Sequence, residues 1–436
     1  MFLRFLTFRE NRMVIPVILV FTFITTVVTA QVPIQDTLRM SAPEMEKRFL
    51  DSNLQLLAAH YQVDAQKALI DQARLWDNPV LNTDQVIAAN GHFFPYGKNP
   101  DGSFNGQYFV QVQQLIQTAG KRGKLIKLAS TNAKLSELSL QDVLRNLRYQ
   151  LKTDFYTLLQ QEGSLKMTEN QLAQLRILLA GMEAQLQSGN LSQKEFLRIQ
   201  ALVNASEQDR TELLKSISDS QADLKTLLQI KEPVYIQPLD SGADIRLSGL
   251  INQQLLLETA KQHNPNYLLQ QTQTIFQQQN VSYQKALSVP DVTIGPNFDR
   301  NSNYAPNYVG LGISLPIPLL NRNQGNIRSA EFGVKQQQSL TRAAETELAN
   351  KLGNAYQKLV LTLQQNSPEK KRFYNQYQAM YANVIKSYQQ KQIGLLEFLD
   401  FYTDYSASVQ RQLNQQLNTQ LAKEELNYEA GIDLIK

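Results

Sequence analysis

An internal duplication limits the folds that are open to this chain. The segment QYFVQVQQLIQTAGKR (107–122) leads into a long helical stretch, and NYVGLGISLPIPLLNRN (307–323) does the same. Lys121 pairs with Arg322 at a separation of 322 − 121 = 201 residues. The tripeptide EFL recurs at a separation of 397 − 195 = 202, so one residue is inserted between these points. Self-similarity of this kind predicts two copies of one supersecondary unit.

The two copies differ mainly in one loop. Upstream of the strands, Pro79 pairs with Pro290 at a separation of 290 − 79 = 211, and the difference of 211 − 201 = 10 residues falls between the first-half strands. Each half is predicted to contain helix, strand, loop, strand, helix, turn and helix in that order. The predicted strands cover residues of about 79–90 and 107–116, and then 291–300 and 307–316.

The duplication also divides the chain into domains. We predict a signal peptide over 1–30, a first repeat over 31–230, an inter-repeat linker over 231–249 and a second repeat over 250–436. The linker is predicted from its Pro, Gly and Asp content. The early helix of the first repeat is predicted over about 42–76, and its counterpart over about 250–287 with a break near Pro265.

The N-terminus is typical of a secretory signal. Three arginines precede an apolar run over 13–28, and Val28-Thr29-Ala30 supplies the small-residue cleavage site. A single membrane anchor is the alternative, but the run is shorter than the ~20 residues that a spanning helix needs. We therefore expect an exported protein that can enter a membrane only with strands.

Composition argues against several classes of function. The formal net charge is only +4 and no run of Lys and Arg stands out, so nucleic acid is not an expected partner. The chain has no cysteine, which excludes disulfides, thiolate metal sites and a lipidated N-terminal cysteine. His60, His92 and His263 have no metal-ligand spacing, and no catalytic motif is present. We expect no metal, no cofactor and no enzymatic activity.

The predicted strands alternate between two kinds of side chain. Val110 and Val112 alternate with Gln111 and Gln113, and the second-half strand alternates Leu and Ile with Gly and Ser over 310–315. A small soluble hairpin would show the same pattern. Strands near ~10 residues with aromatic residues near the hairpin ends favour a tilted membrane strand. Because four strands cannot close a membrane barrel, several chains would have to assemble it.

The helices are predicted to be unusually long. Residues from about 122 to 187 contain no proline, and a helix of this length would extend ~100 Å at 1.5 Å per residue. Leucines at three- and four-residue steps predict coiled-coil packing against an antiparallel return helix over about 193–229. The remaining surfaces are rich in Gln, Asn, Ser and Lys, which is typical of a wall that is wetted on at least one side.

The turns between the long helices contain clear stop and start signals. Gly189 and Asn190 provide a helix stop, and Ser192 with Glu195 has the spacing of a capping box. Glu195 is therefore predicted to be a cap and not a catalytic acid. The second turn has Gly394 at the position of Ser192, and keeps Glu397 in the first turn of the next helix, where the helix dipole favours it.

Together these features resemble TolC-type outer-membrane efflux proteins. The resemblance rests on the duplicated plan, on the phrase LPIPLLNRNQGNIRSAE (315–331) and on the turns SGNLSQKEFL and QIGLLEFLDF. The segment 321–325 is most similar to the heavy-metal branch, the CzcC/CusC-like proteins that serve pumps of the resistance-nodulation-division (RND) class. The resemblance extends over nearly the whole chain that follows the signal.

The resemblance implies a fold that is mainly α with membrane β. Each chain of a homotrimer would give four strands to a shared transmembrane β-barrel, and the helices would form a coiled-coil α-barrel in the periplasm of a Gram-negative bacterium. The implied function is a passive outer-membrane exit duct, coupled to a periplasmic adaptor and an inner-membrane RND-type pump, for heavy-metal cations or small toxic compounds. Without a lipidated cysteine, anchoring in outer-membrane lipid would depend on the barrel alone.

The resemblance also assigns site residues by position. The two turns correspond to the tips that dock the adaptor, namely Gly189, Asn190, Leu191 and Ser192, and then Gln392, Ile393, Gly394 and Leu395. Lys391 stands opposite Gly189, so equivalent docking by both turns is an open question. Asp400 and Asp404 are candidates for an acidic ring at the pore constriction, with solvated helix-face positions as the alternative.

The main rival hypothesis is a pore-less periplasmic coiled-coil adaptor or structural protein. Adaptors usually have one helical hairpin inserted into β-rich domains, whereas this chain is predicted to have two hairpins and two strand pairs. A duct that secretes a protein substrate is a third hypothesis.

Overall fold

The computed structural model describes residues 36–89, 91–102, 104–239, 252–302 and 304–435. The predicted signal peptide (1–30) lies outside these residues, and so does the later part of the predicted linker (240–249). The prediction of a mainly helical chain is confirmed, because helices account for most of the described residues.

Among its described residues, the first half of the chain contains two longer strands and four two-residue strands between the early helices and a long helical hairpin. Its elements are β1 (Thr37–Ser41), α1 (Ala42–Ser52), α2 (Leu54–Arg74), β2 (Val80–Gln85), β3 (Ala88–Ala89), β4 (His92–Phe93), β5 (Gly97–Lys98), β6 (Phe104–Asn105), β7 (Tyr108–Ile116), α3 (Lys121–Gln187), α4 (Gln193–Leu227) and β8 (Tyr235–Leu239). With 67 residues, α3 is ~100 Å long.

The second half repeats this order with one additional helix boundary. Its elements are α5 (Gln253–His263), α6 (Pro265–Leu287), β9 (Val292–Asn301), β10 (Pro306–Ser314), α7 (Gln324–Gln365), α8 (Pro368–Gln389) and α9 (Leu395–Ala430). Helix α7 begins two residues after Arg322, which the shift of 201 pairs with Lys121 at the start of α3.

The four longer strands form one antiparallel sheet in the order β10-β9-β7-β2. In its centre, Gln111 on β7 lies opposite Asn82 on β2 and opposite Asn297 on β9. Strands β2 and β10 are the two edges, and each has a free side among the described residues. An edge of this kind presents backbone groups that can pair with another chain.

The first predicted strand is shorter than expected. The prediction extended it over 79–90, but β2 ends at Gln85, and the Val86 amide donates the last cross-strand hydrogen bond to the Gln107 carbonyl (3.2 Å). The chain then forms the two-residue pairs β3–β4 and β5–β6. The longer connection between the first-half strands therefore contains two short paired segments among its described residues.

The helices that directly precede or follow the four longer strands form a layer in the same order. Helix α3 packs against α2 on one side and α6 on the other, and α6 packs against α7. The order α2-α3-α6-α7 reproduces the strand order β2-β7-β9-β10, so each strand continues the line of its own helix. Farther from the sheet, α4 packs along α3, and α9 packs against α3, α7 and α8.

The predicted continuous helix over 42–76 is wrong, because Asn53 divides it into α1 and α2. The Asn53 side chain accepts a hydrogen bond from the Leu56 amide (3.0 Å) and donates one to the Leu227 carbonyl at the end of α4 (2.9 Å). Asn264 does the same at the predicted break near Pro265: it accepts from the Tyr267 amide (3.1 Å) and donates to the Glu429 carbonyl (2.9 Å). Each asparagine caps one helix start and one helix end.

The shift that aligns the two repeats changes from 201 to 202 residues along the chain. This change falls in a segment of the second repeat that contains one helix break. Pairs of buried residues keep the shift of 201 along α3 and α7, namely Leu147 with Leu348, Leu151 with Leu352 and Leu158 with Leu359. The turns follow the shift of 202. Between them, the chain leaves the helix at Asn366 and re-enters at Pro368, with Ser367 as the cap of α8.

The predicted linker begins with ordered structure. Tyr235–Leu239 forms β8, which pairs in parallel with β1 at the other end of the first repeat. Ile236 is fully buried there, in a core that α1, α3 and α4 also build. A second core joins α5, α7 and α9, and a third lies beneath the two turns.

Candidate functional site: the helix turns and the two-faced sheet

The first turn is a regular helix stop followed by a regular helix start. Gly189 has a left-handed φ of +73°, the Asn190 amide donates to the Gln185 carbonyl (2.9 Å), and the Gly189 amide donates to the Leu186 carbonyl (3.0 Å). This hydrogen-bond pattern is the Schellman motif. Ser192 then caps α4 by accepting from the Glu195 amide (3.2 Å), which is the first half of the predicted capping box.

The second turn has the same backbone, although its sequence differs. Lys391 takes the left-handed position with φ +57°, and the Gln392 amide donates to the Ser387 carbonyl (2.9 Å). Gly394 has the extended conformation of an N-cap but no side chain that could accept a hydrogen bond. The two turns therefore share a backbone conformation but differ in their side chains. The Lys391 ammonium group stands where the first turn has Gly189.

The two turns lie side by side on one apolar cluster. Leu191 and Ile393 are half-buried against it, whereas Asn190 and Gln392 are exposed. Burial raises the pKa of the Tyr388 hydroxyl, and the charge of Glu195 from the other turn raises it further. Among the remaining predicted tip residues, Gly189, Ser192 and Gly394 are exposed and Leu395 is half-buried. The structure thus brings all eight predicted tip residues to one end of the molecule.

Aromatic residues join α8 to α9 directly behind the second turn. The rings of Tyr381 and Tyr405 stack with centroids 4.2 Å apart, and the Tyr402 and Ser206 hydroxyls are 3.3 Å apart. Asp400 and Asp404 lie one helical turn apart on the exposed face of α9. Their charges act on the nearby Tyr377, whose pKa is raised first by burial and then by these two carboxylates. The two aspartates are close together, and in the single chain they face solvent.

At the other end of the molecule, the sheet has one polar and one apolar face. The register places Asn82, Gln111 and Asn297 in one cross-strand row, with Gly310 on β10 completing it. The opposite face carries the apolar residues of the alternation, namely Leu81, Val110, Val112, Ile294, Phe298, Val309, Leu311 and Ile313. Four of these, Leu81, Val309, Leu311 and Ile313, are more than 60% exposed. The predicted alternation is therefore confirmed in the register.

Amide side chains on the polar face bond to one another. The Asn82 amide donates to Gln113 Oε1 (3.0 Å), and the Gln113 amide donates to Gln111 Oε1 (2.8 Å). Sequence reasoning identified Gln111 and Gln113 but missed Asn82 and Asn297. The signal was available for Asn297, because polar or small residues stand at every second position of β9 from Thr293 to Asn301.

No metal centre is found in the described residues. His60, His92 and His263 are all exposed, and no group of three or more potential metal ligands occurs in the part of the chain that the structure describes. Over the same residues, none of the helices combines the length and the apolar character needed to cross a membrane.

Comparison with known proteins gives consistent results. Residues 47–228 match the family model of outer membrane efflux proteins. The cobalt-zinc-cadmium resistance protein CzcC of Cupriavidus metallidurans is 23% identical over 283 residues, which cover 64% of this chain and 63%, less than two thirds, of that protein.

Solved structures share the fold. A crystal structure of CusC superposes with a TM-score of 0.72 at 16% identity, covering 90% of this chain and 92% of that one. The outer-membrane channel OprN superposes with a TM-score of 0.73 at 15% identity, covering 89% of each chain.

Proposed function

We propose that this chain is a member of the outer membrane efflux protein family and the exit duct of a tripartite efflux system. Members of this family are channels and not enzymes, in agreement with the prediction from sequence. The finer assignment concerns the membrane part, the oligomer, the partners and the exported substrate. Each of these is part of the proposal.

The observation that carries the proposal is the two-faced sheet with its free edges. Its apolar face suits lipid, and its amide-rich face suits water. Because β2 and β10 run antiparallel, the β10 edge of one chain can pair with the β2 edge of the next and continue the same alternation. Three copies of a four-stranded sheet would close such a ring in the outer membrane, which leaves no free edge in lipid.

The helical layer supports the same arrangement. Its order follows the strand order, so a closed ring of strands places a ring of helices directly below it. The helices would extend the duct into the periplasm by the ~100 Å length of α3. The two turns are at the far end, where a periplasmic adaptor and an inner-membrane RND pump would meet the duct.

The test of the duct is electron microscopy combined with conductance. Protein extracted from outer membranes should appear as hollow trimers with a short barrel at one end, and should form ion-conducting pores in planar lipid bilayers. Soluble monomers, or solid rods without conductance, would contradict the proposal and favour the pore-less adaptor.

We propose that both turns dock the adaptor, and not only the first. The two turns have the same backbone conformation and pack on the same apolar cluster, which favours docking by both. The Lys391 side chain makes the two contacts chemically different. Site-specific photo-crosslinkers at Asn190 and at Gln392 should each capture the adaptor in cells, and a crosslinker at the exposed Lys67 on α2 is the control. Capture from Asn190 alone would restrict docking to the first turn.

The substrate assignment has two candidates, heavy-metal cations and small organic toxicants. The relative CzcC is a cobalt-zinc-cadmium resistance protein, which favours metal cations for this chain as well. We propose that Asp400 and Asp404 line the constriction and attract cations. Deleting the gene should lower tolerance to cobalt, zinc or cadmium, and Asp400→Asn with Asp404→Asn should reduce cation over anion selectivity in bilayers. Unchanged selectivity would assign both aspartates to a solvated face.

A further inference from the structure

We infer that a pocket at the junction of helices and strands binds amphiphilic organic anions inside the duct. This junction pocket has a volume of about 560 Å³ and is bounded by α2, α3 and α6. Its main walls are Leu69, Leu75, Trp76, Arg122, Leu125 and Phe276. The inference rests on the proposed function, because only a closed duct turns this side of the layer into an interior.

The walls of the pocket are mostly apolar and accessible. Trp76 is 63% exposed, and Leu75 and Leu69 are exposed to 61% and 50%. Ligand pockets in proteins commonly enclose roughly 300–1,000 Å³ and combine apolar or aromatic walls with a few polar groups. The junction pocket has this size and this composition, and an apolar body can lie on its walls.

One positive charge is fixed at the rim of these walls. The Arg122 guanidinium stacks 4.2 Å from the centre of the Trp76 ring, and it makes no ion pair with any carboxylate of the described residues. Asp77 also borders the pocket, where its carboxylate accepts a hydrogen bond from Gln117 (2.9 Å). A guanidinium is weakly hydrated and binds sulfonate, phosphate or carboxylate groups well. The charge and the walls together fit an anion with an apolar or aromatic body.

The pocket opens on the side of the layer that would face the interior. It is bounded by three successive helices, and a pocket of that kind forms where a layer is concave. It also includes Gln117, which has the same parity as Gln111 and Gln113 on the polar face of the sheet, with Leu115 between them. In a closed ring, three such pockets would surround the passage directly before the barrel.

The test uses the only tryptophan of the chain, Trp76, as its reporter. The conducting trimer is placed in phosphatidylcholine nanodiscs and titrated with anilinonaphthalene sulfonate, or with phenylnaphthylamine, which has the same rings and no charge. Both dyes should quench Trp76 emission by energy transfer. Arg122→Gln should weaken the anionic dye ~tenfold, the equivalent of one charge-assisted hydrogen bond, and leave the neutral dye unchanged.

Two controls separate the pocket from unspecific effects. Lys127→Gln removes the same charge from an exposed position of α3 that does not border the pocket, and should change neither titration. Phe276→Ala removes an apolar wall and should weaken both dyes.

Three results would overturn the inference. They are absence of quenching in a trimer that conducts, equal weakening by Lys127→Gln, and loss of binding of the neutral dye when phosphatidylglycerol replaces phosphatidylcholine. The last result would show that lipid occupies the site, because an anionic bilayer does not repel an uncharged dye. A protein that forms no conducting trimer contradicts the duct itself, so the two failures are distinguishable.

Discussion

The ammonium of Lys121 lies 2.6 Å from the Asp291 carboxylate and 2.6 Å from the Val289 carbonyl. Lys121 is the first residue of α3, and Asp291 directly precedes β9, so the pair ties the first repeat to the second where helices meet strands. The Lys121 side chain is only 6% exposed. Thr118 completes the site, because its amide donates to the same carboxylate (2.7 Å).

We predict that Lys121→Met lowers the free energy of unfolding by about 2 kcal/mol, because it leaves the half-buried Asp291 carboxylate without its counter-charge and the Val289 carbonyl without its donor. The measurement is thermal unfolding of the detergent-solubilised protein. Lys351→Met, which breaks an exposed pair with Glu347, is the matched control and should cost below about 0.5 kcal/mol. Equal losses for the two variants would show that burial of the Lys121 pair does not matter.

Asn53 and Asn264, which each cap one helix start and one helix end, should contribute equally to the free energy of unfolding. Asn53→Ala and Asn264→Ala each remove a helix cap and leave a helix-end carbonyl unpaired, so each should cost about 2 kcal/mol. Asn252→Ala removes only an exposed cap and should cost less, about 0.5–1 kcal/mol. Denaturant titration of the three variants checks this order. A cost at Asn53 no larger than at Asn252 would contradict the double capping role.

The left-handed residues of the two turns predict opposite effects. Gly189→Ala should destabilise by about 1 kcal/mol, because the cost is conformational: a Cβ at Gly189 meets no atom within 4 Å. Lys391→Gly should stabilise by a smaller amount, about 0.5 kcal/mol, since glycine also gains entropy in the unfolded chain. Melting temperatures measured under one detergent condition test both. A stabilising Gly189→Ala would refute the Schellman geometry of the first turn.

The stability of the helical hairpin should depend on pH through Asp154. Burial raises the pKa of its carboxyl from 3.8 to about 6, and the charge of Asp223 adds to the shift. A raised carboxyl pKa means that the folded chain holds the proton more tightly, so stability falls as pH rises from 3.8 to about 6. Asp154→Asn should remove this penalty and raise stability at pH above 7 by on the order of 1 kcal/mol, after allowance for partial exposure.

The gain from Asp154→Asn should vanish when the pH falls below the unfolded value of 3.8, because both chains are then neutral at this position. Melting curves across the pH range provide the measurement. The control is Asp219→Asn, which makes the same substitution at an exposed position of α4. A gain for Asp154→Asn that persists in acid would have another cause, such as better packing of the amide.

Much of the fold could be predicted from periodicity and repetition. The long helix α3, its return helix α4 and the alternating strands follow from local patterns that extend over many residues. The break at Asn53 was also within reach, since the shift of 211 places Asn53 on Asn264, beside the predicted break at Pro265. It was missed because Leu54 stands where the second repeat has its proline, and the helical pattern continues across it.

Other features depend on contacts between distant segments. Strands β1 and β8 pair in parallel across almost two hundred residues, as at Thr37 with Tyr235, and neither contains a local signal that specifies its partner. The equal backbones of the two turns were not predictable either, because a lysine rarely takes the left-handed conformation. The hydrogen bonds at the end of α8 specify it there.

The break at Asn366–Ser367 gives the two hairpins of one chain different mechanical properties. The first hairpin is built on an uninterrupted rod, α3, that runs from the sheet to the turn. The second contains a joint, held laterally by the hydrogen bond from Asn366 to Thr419 on α9 (2.8 Å). A force applied at the turns would therefore be carried along α3 to the sheet, whereas at the joint it would bend the second hairpin. Each chain therefore has one hairpin with a continuous helix and one hairpin with a point at which it can bend.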